Sequence, residues 1–596
     1  MKNKVNLKKV SDVVAEVLIE EKVSHVFVIS GGASLHLIHS LADNENIQYI
    51  CNHNEQASAM AADGYSRVSG NIGVTITTSG PGATNLITGI CCSYYDSVPT
   101  LFITGQVSTF RMKGDTGVRQ IGFQETPIVD VVKSITKYAY TINHPSEIKY
   151  QIQKALHIAR SGRPGPVLID IPDDLQRANI ESSLLKNFQP DIEQEKGKLT
   201  DTILNIMSMI KKSKRPVIIA GWGVHLSKTQ SDFIKFAEDL NLPIALTWGA
   251  ADLISFDHEL YIGTFGTHGN RHANFAVQNA DLIISFGSRL DTKSTGSPVN
   301  TFARKAKKIM VEIDINELNK FQKFDLKFDQ LIHCDLKDFF DEVQKINIQK
   351  FFNKHDDWVN QINQWQEAFN AFDDRKNLST TQVNPYNFVD RISDNLKENS
   401  KVIIDTGCSI AWFMQSIRTP ETVRVFHDCN NTAMGWALPA SIGGYYADLG
   451  KSPIITIVGD GGFMMTSYEL ATAMHNNIPL KIFIMNNQGY SMIQQTQDQW
   501  LDSNYYASSK QGGISFPDFQ KLSKAYNFKY FELKDDSDLH LVEEIFAYPK
   551  ALICNVFIDN DFRVTPQVKF GRPNEDMGPL LPREMFNANM IIDPIN

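Results

Sequence analysis

Four short runs dominated by β-branched and other apolar residues punctuate the first third of the chain: HVFVIS (25–30), GVTITTSG (73–80), TLFITG (100–105) and PVLIDIP (166–172). Between them, apolar residues recur at helical spacing. Strands buried on both faces read as continuous apolar runs, and their alternation with helical stretches predicts a mostly parallel sheet wrapped by helices. The pattern restarts at PVIIAGWG (216–223), after the polar stretch NFQPDIEQEKGKLTD (187–201), and continues through ADLIISFGSRL (280–290) and KIMVEIDI (308–315). A third series begins at KVIIDTG (401–407) and runs through PIITIVGDGG (453–462), LKIFIMNN (480–487) and ALICNVFID (551–559). The expected fold class is α/β, with three doubly wound parallel-sheet domains at 1–185, 200–345 and 385–562. A charged linker at 346–384 and a Pro- and Gly-rich ordered tail at 563–596 complete the expected organisation.

Composition narrows the function classes. A chain of 596 residues, 42% hydrophobic and 21% charged, has ample material for several cores. A net charge of −9 and the absence of a Lys/Arg stripe with interleaved aromatics argue against nucleic-acid binding. Seven cysteines without a paired C-x-x-C make neither a disulfide framework nor a structural zinc site, so reduced thiols are expected. The basic start, MKNKVNLKKV, leads into the charge-broken amphipathic pattern SDVVAEVLIEEKVSH instead of an apolar leader, and no run of about 18 apolar residues occurs. A cytoplasmic protein with no membrane span is expected.

The strongest chemical signal is GDGG, Gly459–Gly462, directly after the apolar strand IITIV. Ligands of open α/β sheets bind beyond the carboxyl ends of strands, so Asp460 stands where a site belongs. Gly461 and Gly462 expose backbone N–H groups to a phosphate, and the following helix points its positive end there. A second strand, KIFIM, ends at Asn486-Asn487. A carboxylate and an amide carbonyl are hard oxygen ligands that suit Mg²⁺ bridging two phosphates. Read alone, GDG is better explained as a strand-turn-helix with a capping aspartate; NN after the next strand turns the reading to metal and diphosphate. Far upstream, HNEQASAMAADGYSRVSG (53–70) opens a small-residue helix with Glu55 in its first turn, where the dipole alone would favour a carboxylate.

Together these segments resemble the thiamine-diphosphate enzymes, in which GDG is followed by NN after about 25 residues. The resemblance implies Asp460, Asn487 and the backbone carbonyl of Gly489 as metal ligands. It implies Glu55 as the carboxyl group that promotes the imino tautomer of the cofactor's aminopyrimidine, so that a proton can leave the thiazolium carbon. SGPGATNLITGI (79–90) is the next landmark of that family. Glu55 and Asp460 fall in different units, and in the family a pyrimidine-binding domain of one subunit faces a diphosphate-binding domain of another. A homodimer or homotetramer is therefore implied.

Over nearly the whole chain the likeness is to the large catalytic subunit of acetolactate synthase. TGQVSTF (104–110), GFQETPIVD (122–130), SGRPGPVLIDIP (161–172) and TAMGWALPASIGG (432–444) carry it. It implies Phe123 and Gln124 near the reacting centre, on the same subunit as Glu55. Met434 takes the position of the residue that wedges under the bent cofactor. The cofactor-binding set also includes Gly407, Cys408, Ser409, Tyr490, Ser491 and Met492. In the middle unit, GWG (221–223), FGTHGNRHAN (265–274), SRLD (288–291) and VEIDI (311–315) are similar to an FAD-binding domain, which implies His268, Arg289 and Asp314 as flavin contacts.

The chain departs from the family at Asp291-Thr292-Lys293, where D-D-R is usual, and at Gly407-Cys408-Ser409-Ile410, where G-Q-H-Q is usual. Thr496 stands where a tryptophan helps select the second keto acid. The tail PNEDMGPLLPREMF is similar to thiamine enzymes of surface-polysaccharide pathways. The expected reaction is decarboxylative carboligation of a 2-keto acid, pyruvate above all, to a second carbonyl. A keto-sugar acceptor, a C–C cleaving hydrolase or lyase, and an inactive cofactor-binding paralogue remain the alternatives at this stage. The paralogue would be expected to lack Glu55, Asp460 or Asn487, and all three are present.

Overall fold

The computed structural model describes residues 7–190, 199–369, 375 and 378–595. Three six-stranded sheets carry the chain, each parallel throughout and flanked by helices. The first contains β1 (His25–Val28), β2 (Gln48–Cys51), β3 (Gly73–Thr77), β4 (Thr100–Gln106), β5 (Tyr138–Thr141) and β6 (Val167–Pro172). Its spatial order is β2-β1-β3-β4-β6-β5. The second contains β7 (Pro216–Ala220), β8 (Ile244–Leu246), β9 (Tyr261–Thr264), β10 (Leu282–Phe286), β11 (Lys307–Glu312) and β12 (Gln330–His333), ordered β9-β8-β7-β10-β11-β12. The third contains β13 (Lys401–Ile404), β14 (Arg424–His427), β15 (Ile454–Gly459), β16 (Lys481–Asn486), β17 (Lys529–Leu533) and β18 (Leu552–Phe557), ordered β14-β13-β15-β16-β18-β17. The expected α/β class with three doubly wound parallel sheets is what the structure has.

The first and third sheets share one topology: second, first, third, fourth, sixth, fifth strand. Each therefore reverses direction between its first and third strands, the switch point where a crevice opens beyond the strand ends. The middle sheet has the order of the dinucleotide-binding fold, with its switch between β7 and β10. The buried strands show why they form: β3, β4, β6, β7 and β10 have every residue out of water, and runs such as VLIDIP and LIISF suit pleated surfaces covered on both faces.

The first and third units are joined by a close crossing of two helices, Glu55–Ser69 and Ala437–Asp448. A Cβ added at Gly443 would sit 1.9 Å from the Ala61 carbonyl oxygen, and one at Gly64 would sit 2.4 Å from that of Ala440. Two small-residue faces thus meet backbone to backbone. Beside them, Arg67 pairs with Asp63 and Asp96 and lies 5.0 Å from the Trp436 ring centroid.

Beyond the middle sheet, the helix Asp356–Ala368 buries Trp358, Ile362 and Trp365 in a core shared with Phe275. The tail forms a two-residue ribbon, Gln567–Val568 with Met577–Gly578, and a helix, Arg583–Asn589. It is held by buried Glu575, which accepts from Gln278 at 2.5 Å and pairs with Arg304 at 2.7 Å. Among the described residues no helix is long and apolar enough to cross a membrane.

Candidate active site

The register of the third sheet brings three loops to one edge. Ile404 at the end of β13 lies beside Ile457 of β15, and Gly459 at the end of β15 lies beside Met485 of β16. Asp405–Gly407, Asp460–Gly462 and Asn486–Gly489 therefore leave three adjacent strands together at the switch point.

Asp460 is buried, and its donors are backbone N–H groups: Gly461 to Oδ1 at 2.7 Å and Gly489 to Oδ2 at 3.3 Å. Burial pushes its carboxyl up to about 7 against the pull of those N–H groups. Among the described residues no cationic side chain pairs with it. The Gly489 N–H is shared with Asn487 Oδ1 at 3.3 Å, and Asn487 Nδ2 donates to Ser491 Oγ. Asp460, Asn487 and the Gly489 peptide form one knot of oxygen donors with a single ionisable group. Among the described residues no cluster of three or more His, Cys, Asp or Glu could hold a metal. A hard divalent cation here would thus take one charge from the protein and the rest from phosphate, which is how Mg²⁺ is held with a bound diphosphate. The donor set fits that ion.

Met434, Gly461 and Tyr490 converge. A Cβ on Gly461 would lie 2.2 Å from the Tyr490 ring and 3.1 Å from the Met434 methyl. The loop carrying Met434 is fixed by Asp405, a residue that no sequence motif marked. Its buried carboxylate accepts from Gly435 N at 3.1 Å, Ala437 N at 3.0 Å and Thr406 N at 3.0 Å, and burial raises it to about 6. An acid closing a buried strand next to the GDG strand was the available signal. Gly407 has φ +99°, which admits only glycine without strain, and it turns the chain into the helix Cys408–Ser416. Ser409 is buried, and the Cys408 thiol is pushed up to about 12 by burial, so it is no nucleophile at neutral pH. Gly462 packs on Asp405, and Met492 packs on the core of the third unit.

The other half lies on the first sheet. Glu55 opens its helix after β2, behind Asn54, whose side chain caps the Gln56 N–H at 2.8 Å. Its Oε2 accepts from Asn85 Nδ2 at 2.9 Å. Gln124 has φ +65° and packs on Gly80, where an added Cβ would meet the Gln124 Cβ at 3.1 Å. Phe123 is 85% exposed, an unusual place for a phenyl ring. The turn carrying both is pinned by Glu125, which accepts from Lys113, Ile121 and Gly122 N–H groups. Burial opposes ionisation, but those N–H donors win and hold its carboxyl below the usual range. Among the described residues no hydrogen bond or ion pair within the chain joins Glu55, Phe123 or Gln124 to Asp460, Asn487 or Met434.

In the middle unit, a cavity of about 210 Å³ opens at the β7/β10 switch point. Gly221 and Gly223 press on Gly287 so closely that a Cβ on Gly221 would lie 2.3 Å from the Gly287 carbonyl. His268 and Arg289 line the cavity. Burial, with Lys293 nearby, pushes His268 down to about 4, so it is neutral. Arg289 already donates to Glu317 at 2.9 Å. Asp314 stands outside the lining, capping Asn316 and pairing with Arg163 at 3.0 Å. Of the two acids in VEIDI, it is Glu312, at the end of β11, that lines the cavity, with Asp96, Asp291 and Asp335 from other segments. The Trp222 indole N–H, also in the lining, is buried and has no acceptor among the described residues. An orphaned donor, a neutral imidazole and a glycine-lined switch point fit a nucleotide-type group.

Comparison with known proteins agrees with this arrangement. Residues 8–131 match the thiamine pyrophosphate enzyme N-terminal TPP binding domain, 203–342 the central domain and 405–556 the C-terminal TPP binding domain. The chain is 32% identical over 570 residues to the acetolactate synthase large subunit of Lactococcus lactis, covering 95% of each. It is 31% identical to acetolactate synthase 1, chloroplastic, of Nicotiana tabacum, over 96% of this chain and 85% of that one. It is 30% identical to the acetolactate synthase large subunit of Cyanidium caldarium, over 94% and 95%. With two cofactor-binding sheets of one topology flanking a dinucleotide-type sheet, the chain belongs to the thiamine pyrophosphate enzymes, in the branch of the acetolactate synthase large subunits.

Proposed function

We propose that this enzyme removes carbon dioxide from a 2-keto acid, pyruvate, and joins the remaining two-carbon unit to the carbonyl of a second pyruvate, giving 2-acetolactate. Thiamine diphosphate, when bound, supplies the electron sink for the carbon that loses its carboxylate. The observation that carries the reading is Asp460: a buried carboxyl with backbone donors and, among the described residues, no side-chain cation, beside Asn487 and the Gly489 peptide. Asp460, Asn487 and the Gly489 carbonyl would hold Mg²⁺, and Gly461, Gly462, Ser409 and Ser491 would face the diphosphate. Met434 and Tyr490 would shape the bend of the cofactor. Glu55 would share a proton between its carboxyl oxygen and the aminopyrimidine, while Phe123 and Gln124 would cover the reacting carbon and keep water from it.

Among the described residues of one chain no hydrogen bond or ion pair joins Glu55 to Asp460, which supports a site completed between two subunits, hence a homodimer or a tetramer built from it. The middle cavity would take FAD, with His268, Arg289, Glu312 and Trp222 around it. The working division is 1–185 for the pyrimidine side, 200–345 for the flavin side and 385–562 for the diphosphate side. The test is incubation of the protein with pyruvate, thiamine diphosphate and Mg²⁺. Acetolactate and one equivalent of carbon dioxide are expected. Carbon dioxide release only after addition of a keto-sugar would replace the acceptor, and absence of both products would overturn the reading.

A further inference from the structure

Glu469 ends the turn Ser467–Glu469 that follows the Asp460–Thr466 helix, and its side chain leaves the third unit for the first. It is 0% exposed. Its Oε1 accepts from the His53 N–H at 2.8 Å, and its Oε2 accepts from Asn52 Nδ2 at 2.8 Å and from Thr472 Oγ1 at 2.7 Å. The far end of the Asn52 amide accepts from Ser58 Oγ at 3.1 Å, on the first turn of the helix that Glu55 begins. One carboxylate therefore holds the two residues that precede the Asn54 cap, and through Asn52 it also reaches the helix itself. Among the described residues no cation pairs with Glu469. Its two oxygens are met by neutral donors in a dry setting, where a satisfied hydrogen-bond network holds its members rigidly.

A tie between domains could serve folding alone. That task already has other means here: the backbone-to-backbone helix crossing and the Arg67–Asp96 pair. What Glu469 adds is specific to the loop Asn52–Asn54, whose path sets where the Glu55 side chain points. Tyr468, next to it, senses both acids. Its phenol is pushed up to about 12 by burial first, then by Glu469 and Glu55.

We propose that Glu469 is a positioning residue, whose carboxylate fixes the Asn52–Asn54 loop so that Glu55 meets the aminopyrimidine of thiamine diphosphate at the right angle. The inference rests on the activating role proposed for Glu55. Glu469→Gln keeps the shape but replaces an acceptor oxygen with an N–H₂ that faces a donor. The assay is the rate of hydrogen–deuterium exchange at the thiazolium carbon of the cofactor bound to the intact enzyme, read by acid quench and NMR at saturating thiamine diphosphate and Mg²⁺.

Exchange should fall about tenfold or more in Glu469→Gln, as for other residues that orient a catalytic group, with the thiamine diphosphate Kd within about threefold of wild type. Asn52→Ala, which leaves two of the three bonds to Glu469, should slow exchange by about three- to tenfold; it carries the same readout should Glu469→Gln fail to fold. Glu55→Gln is the reference. If it leaves exchange unchanged, the role of Glu55 fails and this inference with it. If Glu55→Gln abolishes exchange while the folded Glu469 and Asn52 variants stay within about twofold of wild type, the positioning role alone is overturned.

Discussion

Gly461 has the Tyr490 ring on one side and the Met434 methyl on the other, and neither leaves space for a carbon at 461. Gly461→Ala would force both side chains out of the place where a cofactor would bend. The variant should fold, since a ring and a flexible thioether can give way at a cost of about 1–3 kcal/mol. Its thiamine diphosphate affinity should fall by about ten- to a hundredfold, because that strain is relieved when the cofactor is absent and returns when it binds. Titration of the apo-protein with cofactor and Mg²⁺ decides it; an affinity within threefold of wild type, about 0.65 kcal/mol, would detach Met434 and Tyr490 from the cofactor. Chemistry at this scale was only partly legible beforehand. Asp460, Asn487 and Gly489, the metal ligands proposed above, stand out because a metal and a diphosphate would demand particular residue types at strand ends. Asp405 and Glu469 act by accepting backbone and amide N–H groups from segments distant in sequence, a task that leaves no local pattern. At VEIDI, where Asp314 was expected as a contact, Glu312 is in the cavity wall: β11 ends at Glu312, and Asp314 lies beyond it, capping the helix Ile315–Asn319, a strand end that composition does not mark.

At the scale of elements, the strands were readable from their apolar runs, since a parallel strand buried on both faces admits little else. What the runs do not encode is order within a sheet: that the first and third sheets share a topology follows from which crossovers pack, and only three-dimensional contacts fix it. The same holds for the crossing of Glu55–Ser69 with Ala437–Asp448. Its alanines and glycines read as a small-residue helix, but nothing local says which partner they touch. The crossing makes a sharp prediction. An alanine at 443 would place its Cβ 1.9 Å from a backbone oxygen and 2.8 Å from the Tyr65 nitrogen, atoms that cannot rotate away. Gly443→Ala should cost more than about 3 kcal/mol, at the upper end of overpacking penalties. It should appear as a lower denaturant midpoint and as faster proteolysis between the first and third units. Gly32→Ala, with no atom within 4 Å of the added carbon, should change neither measurement and serves as the control.

For the whole molecule, the apolar side chains left in water are informative. Phe123 beside Gln124, Met465 on the Asp460–Thr466 helix and Ile493 just beyond Asn487 are all exposed, so both half-sites carry uncovered apolar surface. Exposed apolar surface of this kind marks a docking face, and in the dimer proposed above a second copy of the chain would cover one half-site with the other. If so, Glu55 and Asp460 of one chain serve different sites. Mixing then gives a quantitative expectation. Glu55→Gln and Asp460→Ala homodimers each lack a necessary group in both sites. When the two are unfolded together and reassembled at equal amounts, half of the dimers are mixed, and each mixed dimer has one site with both defects and one with none. Activity should recover to roughly a quarter of wild type, which is half the dimers times half their sites. If each chain instead built its own site, every site in the mixture would keep one defect, and reassembly would recover nothing. The acetolactate assay on the mixture separates the two arrangements, and it does so without depending on which face of the chain forms the contact.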